Sequence, residues 1–135
     1  MKTKPKLKGM TLTELLIVLA ILGILMLLAY PVLMPIFQKT RSTEAKLNLT
    51  HLSTLQKAYF LEHAKYGDDF QSIGFEQERL ITEANGKAHY KMEIVSAGPS
   101  DYLARATAVT DFDGDGQFNV WEIDKNGIPT ETIVD

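Results

Sequence analysis

Lys8-Gly9-Met10-Thr11-Leu12-Thr13-Glu14-Leu15-Leu16 leads into a run of 23 residues, Leu15 to Phe37, without a single charge. At ~1.5 Å of helical rise per residue, such a run reaches across the ~30 Å of hydrocarbon in a bilayer. One carboxylate, Glu14, stands at the mouth of this segment. An ionisable side chain becomes more costly the deeper it enters the membrane, so Glu14 calls for a counterpart. Outward on the N-terminal side lies a short leader with Lys2, Lys4, Lys6 and Lys8, closed by Gly9. These lysines favour a cytoplasmic N-terminus, although Lys39, Arg41 and Lys46 beyond the run reduce the asymmetry. The leader is too short for a secretory signal, and Leu27-Leu28-Ala29 offers a small residue at only one of the two signal-peptidase positions.

These residues resemble the processing and assembly motif of type IV pilins and the related pseudopilins, over residues 1 to about 67. In that family a basic leader ends in Gly, a prepilin peptidase cuts after it, the new terminus is N-methylated, and the fifth mature residue is Glu. The resemblance implies cleavage after Gly9, methylation of Met10 and an assembly role for Glu14. Two positions depart from the family pattern: Met10 stands where Phe is usual, and Thr13 where a large aliphatic residue is usual. Pro31 falls where many members carry a helix-softening proline, and Leu15 to Leu28 looks like the polymerisation helix. The partners implied are other pilin subunits, as a homo-polymer or with minor pilins, the prepilin peptidase and a membrane assembly platform. The implied location is the inner membrane for a single-pass precursor, and an extracytoplasmic filament or the cell surface for the mature chain.

Cleavage would give Met10 an α-amine with an unperturbed pKa near ~8, largely cationic at neutral pH. Glu14 lies four residues on, in the first helical turn, where the macrodipole also favours negative charge. Each charge is poorly placed alone, whereas Glu14 of one subunit can neutralise the Met10 amine of its neighbour when helices stack. The plainer alternative is an interfacial Glu14 that snorkels at the start of a signal anchor.

The chain has 135 residues, room for one domain plus a membrane segment. Loss of the four leader lysines leaves 10 basic against 17 acidic residues, a formal charge of −7. That acidity argues against non-specific nucleic-acid binding and suits cations. No cysteine is present, so no disulfide braces the fold.

The organisation predicted is a leader 1–9, a hydrophobic helix 10–37 and a globular domain 38–135. Within the globular domain, Ala45, Leu49, Leu52, Leu55 or Gln56, and Tyr59 recur at helical spacing, predicting an amphipathic helix that ends at Tyr66 before Gly67. Pro31 and Pro35 should bend or loosen the helix above it. A connecting region 67–86 is pinned by Phe70, Ile73, Phe75 and Leu80. Period-two alternation at Tyr90, Met92 and Ile94, and again from Tyr102 to Val109, predicts two antiparallel strands. Gln117 to Ile123 reads as a third, and Ile128 to Val134 as a short edge strand after the Asn126-Gly127 turn, with Pro129 limiting its pairing. The fold class is α+β: a long N-terminal helix packed on a small antiparallel sheet.

Asp111-Phe112-Asp113-Gly114-Asp115-Gly116-Gln117-Phe118-Asn119-Val120-Trp121-Glu122 fits the calcium-loop pattern D-x-D-x-D-G-x5-E. Alternate carboxylates in a tightly wound loop converge on one hard cation, and Gly116 permits the turn. Asp111, Asp113 and Asp115 would give side-chain oxygens, Gln117 its carbonyl, Asn119 a direct or water-mediated contact and Glu122 a bidentate carboxylate, with Phe118 as the apolar residue in mid-loop. The flanks read as strands, so the loop is expected without an EF-hand, and calcium would brace a cysteine-free sheet. The alternative is a solvated acidic turn.

His51 and His63 read as ordinary helix positions, and no Gly-rich phosphate loop, G-x-S-x-G or cysteine nucleophile occurs, so an enzyme is not expected. The function expected is a structural subunit of a type IV pilus or pilus-like filament. The alternatives are a pseudopilin of a type II secretion system, whose usual D-P-W-G-x-P-Y-like segment is missing here, and a single-pass calcium-binding or adhesive membrane protein that never polymerises.

Overall fold

The structure is a computed structural model that describes residues 9–135, and the leader lysines lie outside the described residues. Its elements in chain order are α1 (Leu12–His63), α2 (Phe70–Ile73), β1 (Tyr90–Ala97), β2 (Tyr102–Ala108), β3 (Val120–Asp124) and β4 (Thr130–Ile133), an α+β arrangement. The chain divides into two compact units, the first ending at Ile36 and the second spanning Phe37–Asp135.

The first unit is helical from Leu12 onward. The large apolar side chains described there are exposed, with Leu12 and Leu27 each 77% accessible. A helix apolar all round belongs in lipid or against other helices. Among the described residues, α1 is the one helix long and apolar enough to cross a membrane. The path stays helical through Pro31 and Pro35. What these prolines remove is the pair of N–H donors that would close on the carbonyls of Leu27 and Pro31.

The second unit packs the rest of α1 on an antiparallel sheet of order β1-β2-β3-β4. Ala45, Leu49 and Leu52 of the helix are fully buried against Tyr90, Met92, Tyr102, Trp121 and Ile123. Strand β2 turns Tyr102, Ala104, Ala106 and Ala108 inward and alternates them with half-exposed residues. Ala106 lies between Met92 of β1 and Trp121 of β3. The alanines leave a shallow strip between larger side chains, in one buried cluster with Ala45, Leu49 and Leu52 of the helix. On the outer face, register aligns Glu93, Arg105 and Glu122 across three strands. The Arg105 guanidinium lies 3.3 Å from Glu93 and 2.7 Å from Glu122.

The helix ends earlier than the sequence predicts, at His63, with Ala64 in the left-handed region at φ 55°. Gln56 supplies the reason. Fully buried, it donates from Nε2 to the Gly67 carbonyl at 2.7 Å and accepts from the Gly67 N–H at 2.9 Å. This clamp turns the chain back on the helix and places Tyr66 in ring contact with Phe60 and Tyr102. Gly67 is therefore a tethered return rather than a helix stop. Gln77 plays a similar part at the free edge of β1, donating to the Tyr90 carbonyl and accepting from the Met92 N–H. Strand β3 also starts later than predicted, at Val120, because Gln117 to Asn119 still belong to the loop.

Candidate functional site

The N-terminal site is built by the first turn of α1. Thr11 precedes the helix and its Oγ1 accepts from the Glu14 N–H at 3.2 Å, while its carbonyl accepts from the Leu15 N–H at 3.1 Å. Thr11 is thus the N-cap, and Glu14 occupies the third helical position. Sequence reasoning missed this role of Thr11, although the T-x-x-E spacing of Thr11 and Glu14 carried the signal. Glu14 and Met10 are both exposed. A Cβ built on Gly9 would meet nothing within 4 Å. Among the described residues, packing does not require glycine at position 9.

The second site is the loop between β2 and β3. Asp111 folds it: its two side-chain oxygens accept from the N–H groups of Gly114 at 2.6 Å and Gly116 at 2.7 Å. Those donors hold the Asp111 carboxyl below its ordinary range, so it stays ionised. Asp113 accepts from the Asp115 N–H, and Asp115 from the backbone and side-chain amides of Gln117. Gly114 and Gly116 take φ values of 86° and 89°, which side chains resist.

Asp135 completes the group. Nearly buried, at 6% exposure, it accepts from the N–H groups of Phe112 and Asp113. One oxygen from each of Asp111, Asp113, Asp115 and Asp135 lies within 4.8 Å of all the others. Asp135 stands far along the chain, and no sequence spacing pointed to it; the return of β4 alongside β3 brings it here.

The structure does not bring Asn119 and Glu122 into this group. Asn119 is buried, with Oδ1 accepting from the Tyr90 hydroxyl at 2.7 Å and Nδ2 donating to Glu131 and to the Ile133 carbonyl. Its amide is therefore engaged on both sides, its oxygen by Tyr90 of β1 and its nitrogen by β4. Burial pushes the Tyr90 hydroxyl up to about 12, so it remains a donor to Asn119 at any ordinary pH. Glu122 lies in β3 opposite Arg105 and is paired with it. A strand alternates its side chains, and the register that buries Trp121 and Ile123 commits Glu122 to the other face. The apolar anchor of the loop also differs from expectation. Phe118 is 44% exposed, whereas Phe112 packs against the Tyr90 ring at 6.0 Å and under the Arg41 guanidinium at 4.7 Å.

The histidines occupy structural places. His63 stacks on Tyr59 with ring centroids 4.0 Å apart, and His51 lies 5.9 Å from the Phe75 ring. His89, far from any partner in sequence, meets Glu44 of α1 at 3.1 Å, and Glu44 also accepts from the His89 N–H at 2.8 Å.

Residues 4–30 match the family described as the prokaryotic N-terminal methylation motif. Over 75 residues the chain is 44% identical to the type IV major pilin protein PilA of Myxococcus xanthus (strain DK1622). That stretch is 56% of this chain and 34% of the relative, so the chain matches about a third of the length of that protein. Neither match is to an enzyme.

Proposed function

We propose that this chain, which carries the prokaryotic N-terminal methylation motif at its head, is a structural subunit of a type IV pilus or pilus-like filament. The observation that carries the reading is an uncovered apolar helix with one carboxylate in its capped first turn. Among the described residues of the first unit nothing covers that helix, and polymerisation would. In this reading a prepilin peptidase cuts after Gly9, Met10 is methylated, and Glu14 of one subunit meets the Met10 amine of the next. Pro31 and Pro35 supply the places where the helix gives way during packing. The precursor sits in the inner membrane with its N-terminus cytoplasmic, a membrane platform protein feeds it into the filament, and the mature chain is exposed at the cell surface among other pilin subunits. The matched relative is a major pilin over more than half of this chain, which favours a pilin over a pseudopilin.

The loop at Asp111, Asp113, Asp115 and Asp135 is the place for calcium in this account. Four carboxylates at mutual distances under 4.8 Å suit a hard cation that takes oxygen ligands. Gln117 can add its carbonyl, while Asn119 and Glu122 keep their other partners.

Membership of the filament has a direct test. Filaments sheared from cells, resolved and identified by peptide mass, should contain this chain as a constituent, and deleting its gene should change or remove them. Filaments that lack the chain and are unaltered by the deletion would refute the reading.

A further inference from the structure

Asn85-Gly86 and Asn126-Gly127 are the two Asn-Gly pairs of the chain, and neither the helix nor the acidic loop uses them. This dipeptide has a chemistry of its own. The glycine nitrogen, unshielded by any side chain, attacks Cγ of the asparagine. The N–Cγ bond forms, the Cγ–Nδ2 bond breaks, and the side-chain nitrogen leaves as ammonia, taking up the proton from the glycine nitrogen. Water then opens the five-membered succinimide at either carbonyl. The product is aspartate, or isoaspartate with the backbone rerouted through the side-chain carbon. The step requires only water and an asparagine side chain free to swing onto the following nitrogen.

The fold holds the two pairs differently. Asn126 is tied to Asp124 twice: its Nδ2 donates to Oδ2 at 2.8 Å and its backbone N–H to Oδ1 at 2.9 Å. The Gly127 N–H donates to the Asp124 carbonyl at 3.0 Å. All the groups that must rearrange are therefore gathered on one residue. At Asn85 the turn bond is present, with the Gly86 N–H donating to Glu83 at 3.1 Å. Its side-chain amide, however, makes no hydrogen bond among the described residues, and Asn85 is exposed with a left-handed φ of 60°. Glycine is also fixed at position 86, because a Cβ there would collide with the Leu80 carbonyl. The reactive successor cannot be exchanged without disturbing the turn.

We propose that Asn85 is the site of spontaneous deamidation in this chain and that Asp124 protects Asn126 from the same reaction. Conversion places a new carboxylate beside Glu83, and the isoaspartyl form lengthens the turn whose neighbouring N–H groups, Lys87 and Ala88, both bond to the Arg79 carbonyl. The modification is independent of the filament assignment.

The test uses the full chain in detergent, aged at mildly alkaline pH and followed by peptide-mapping mass spectrometry at residues 85 and 126. Asn85 should convert several-fold faster than Asn126 in the folded chain, and the two rates should converge in urea. The Asp124→Ala chain should convert faster at Asn126 and be unchanged at Asn85. Equal rates in the folded wild type, or a difference that persists in urea, overturn the proposal. So does a folded Asp124→Ala chain whose Asn126 converts no faster. Should that variant fail to fold, the folded and urea rates of the wild type decide.

Discussion

Replacing Glu14 with Ala should abolish filaments while leaving the chain in the membrane. The two outcomes separate because of how the first turn is built. The Glu14 backbone N–H, not its side chain, bonds to Thr11, so the cap survives the substitution. Ala is at least as good a helix former as Glu. Membrane insertion rests on the 23 uncharged residues that follow, and removing a carboxylate at their edge only eases it. In the proposed filament, the neighbouring subunit's terminal amine would lose its partner and be buried unpaired at a cost of ~3–5 kcal/mol per contact. Summed along a polymer, that penalty leaves no filament. Glu14→Gln keeps the shape and loses the charge, so it should fail as well. Quantifying surface filaments by electron microscopy, and membrane-bound chain by immunoblot, checks both halves. Wild-type filament numbers with Glu14→Ala would remove the pairing from the account.

The second large effect concerns the acidic loop. With the dissociation constants of ~10⁻⁴ to 10⁻³ M usual for extracytoplasmic calcium modules, about 10 mM calcium stabilises the folded chain by roughly 1.4 to 2.7 kcal/mol through mass action. For a domain of this size that is a rise of about 5 to 20 °C in Tm. Melting the full chain in detergent, followed by circular dichroism with calcium or with EDTA, measures it. The ligand set can be resolved in the same experiment. Asp113→Ala and Asp135→Asn should each abolish the calcium response, since both carboxylates belong to the cluster. Glu122→Gln should retain it, because Glu122 is engaged by Arg105 on the sheet. Identical melting curves with calcium and EDTA would take the metal out of the account, and a response lost in Glu122→Gln but kept in Asp135→Asn would restore the linear loop pattern.

That contrast marks how far the sequence could be read. The helix, the meander of strands and the inward set of Tyr90, Met92, Tyr102 and the β2 alanines follow from periodicities of 3.6 and 2, which are local properties of the chain. Glu14 stands out for a similar reason: a single charge beside an uncharged run is visible in a short window. The details that escaped are those decided by groups far apart in sequence. The helix stops before Tyr66 because Gln56 clamps Gly67. Asp135 enters the loop because β4 returns along β3. Glu122 leaves it because strand alternation sends Trp121 and Ile123 inward. A motif spacing assumes one backbone geometry, and here a strand replaces the helix that would have turned Glu122 toward the loop. Gln77 at the β1 edge and Glu44 at His89 were equally invisible, each reaching across at least 13 residues to its partner.

The most direct test of the central claim is the mass of the N-terminal peptide of the chain recovered from purified filaments. The account predicts a chain that begins at Met10 and carries a methyl group on its α-amine. A chain recovered with Gly9 and the lysine leader still attached would contradict it.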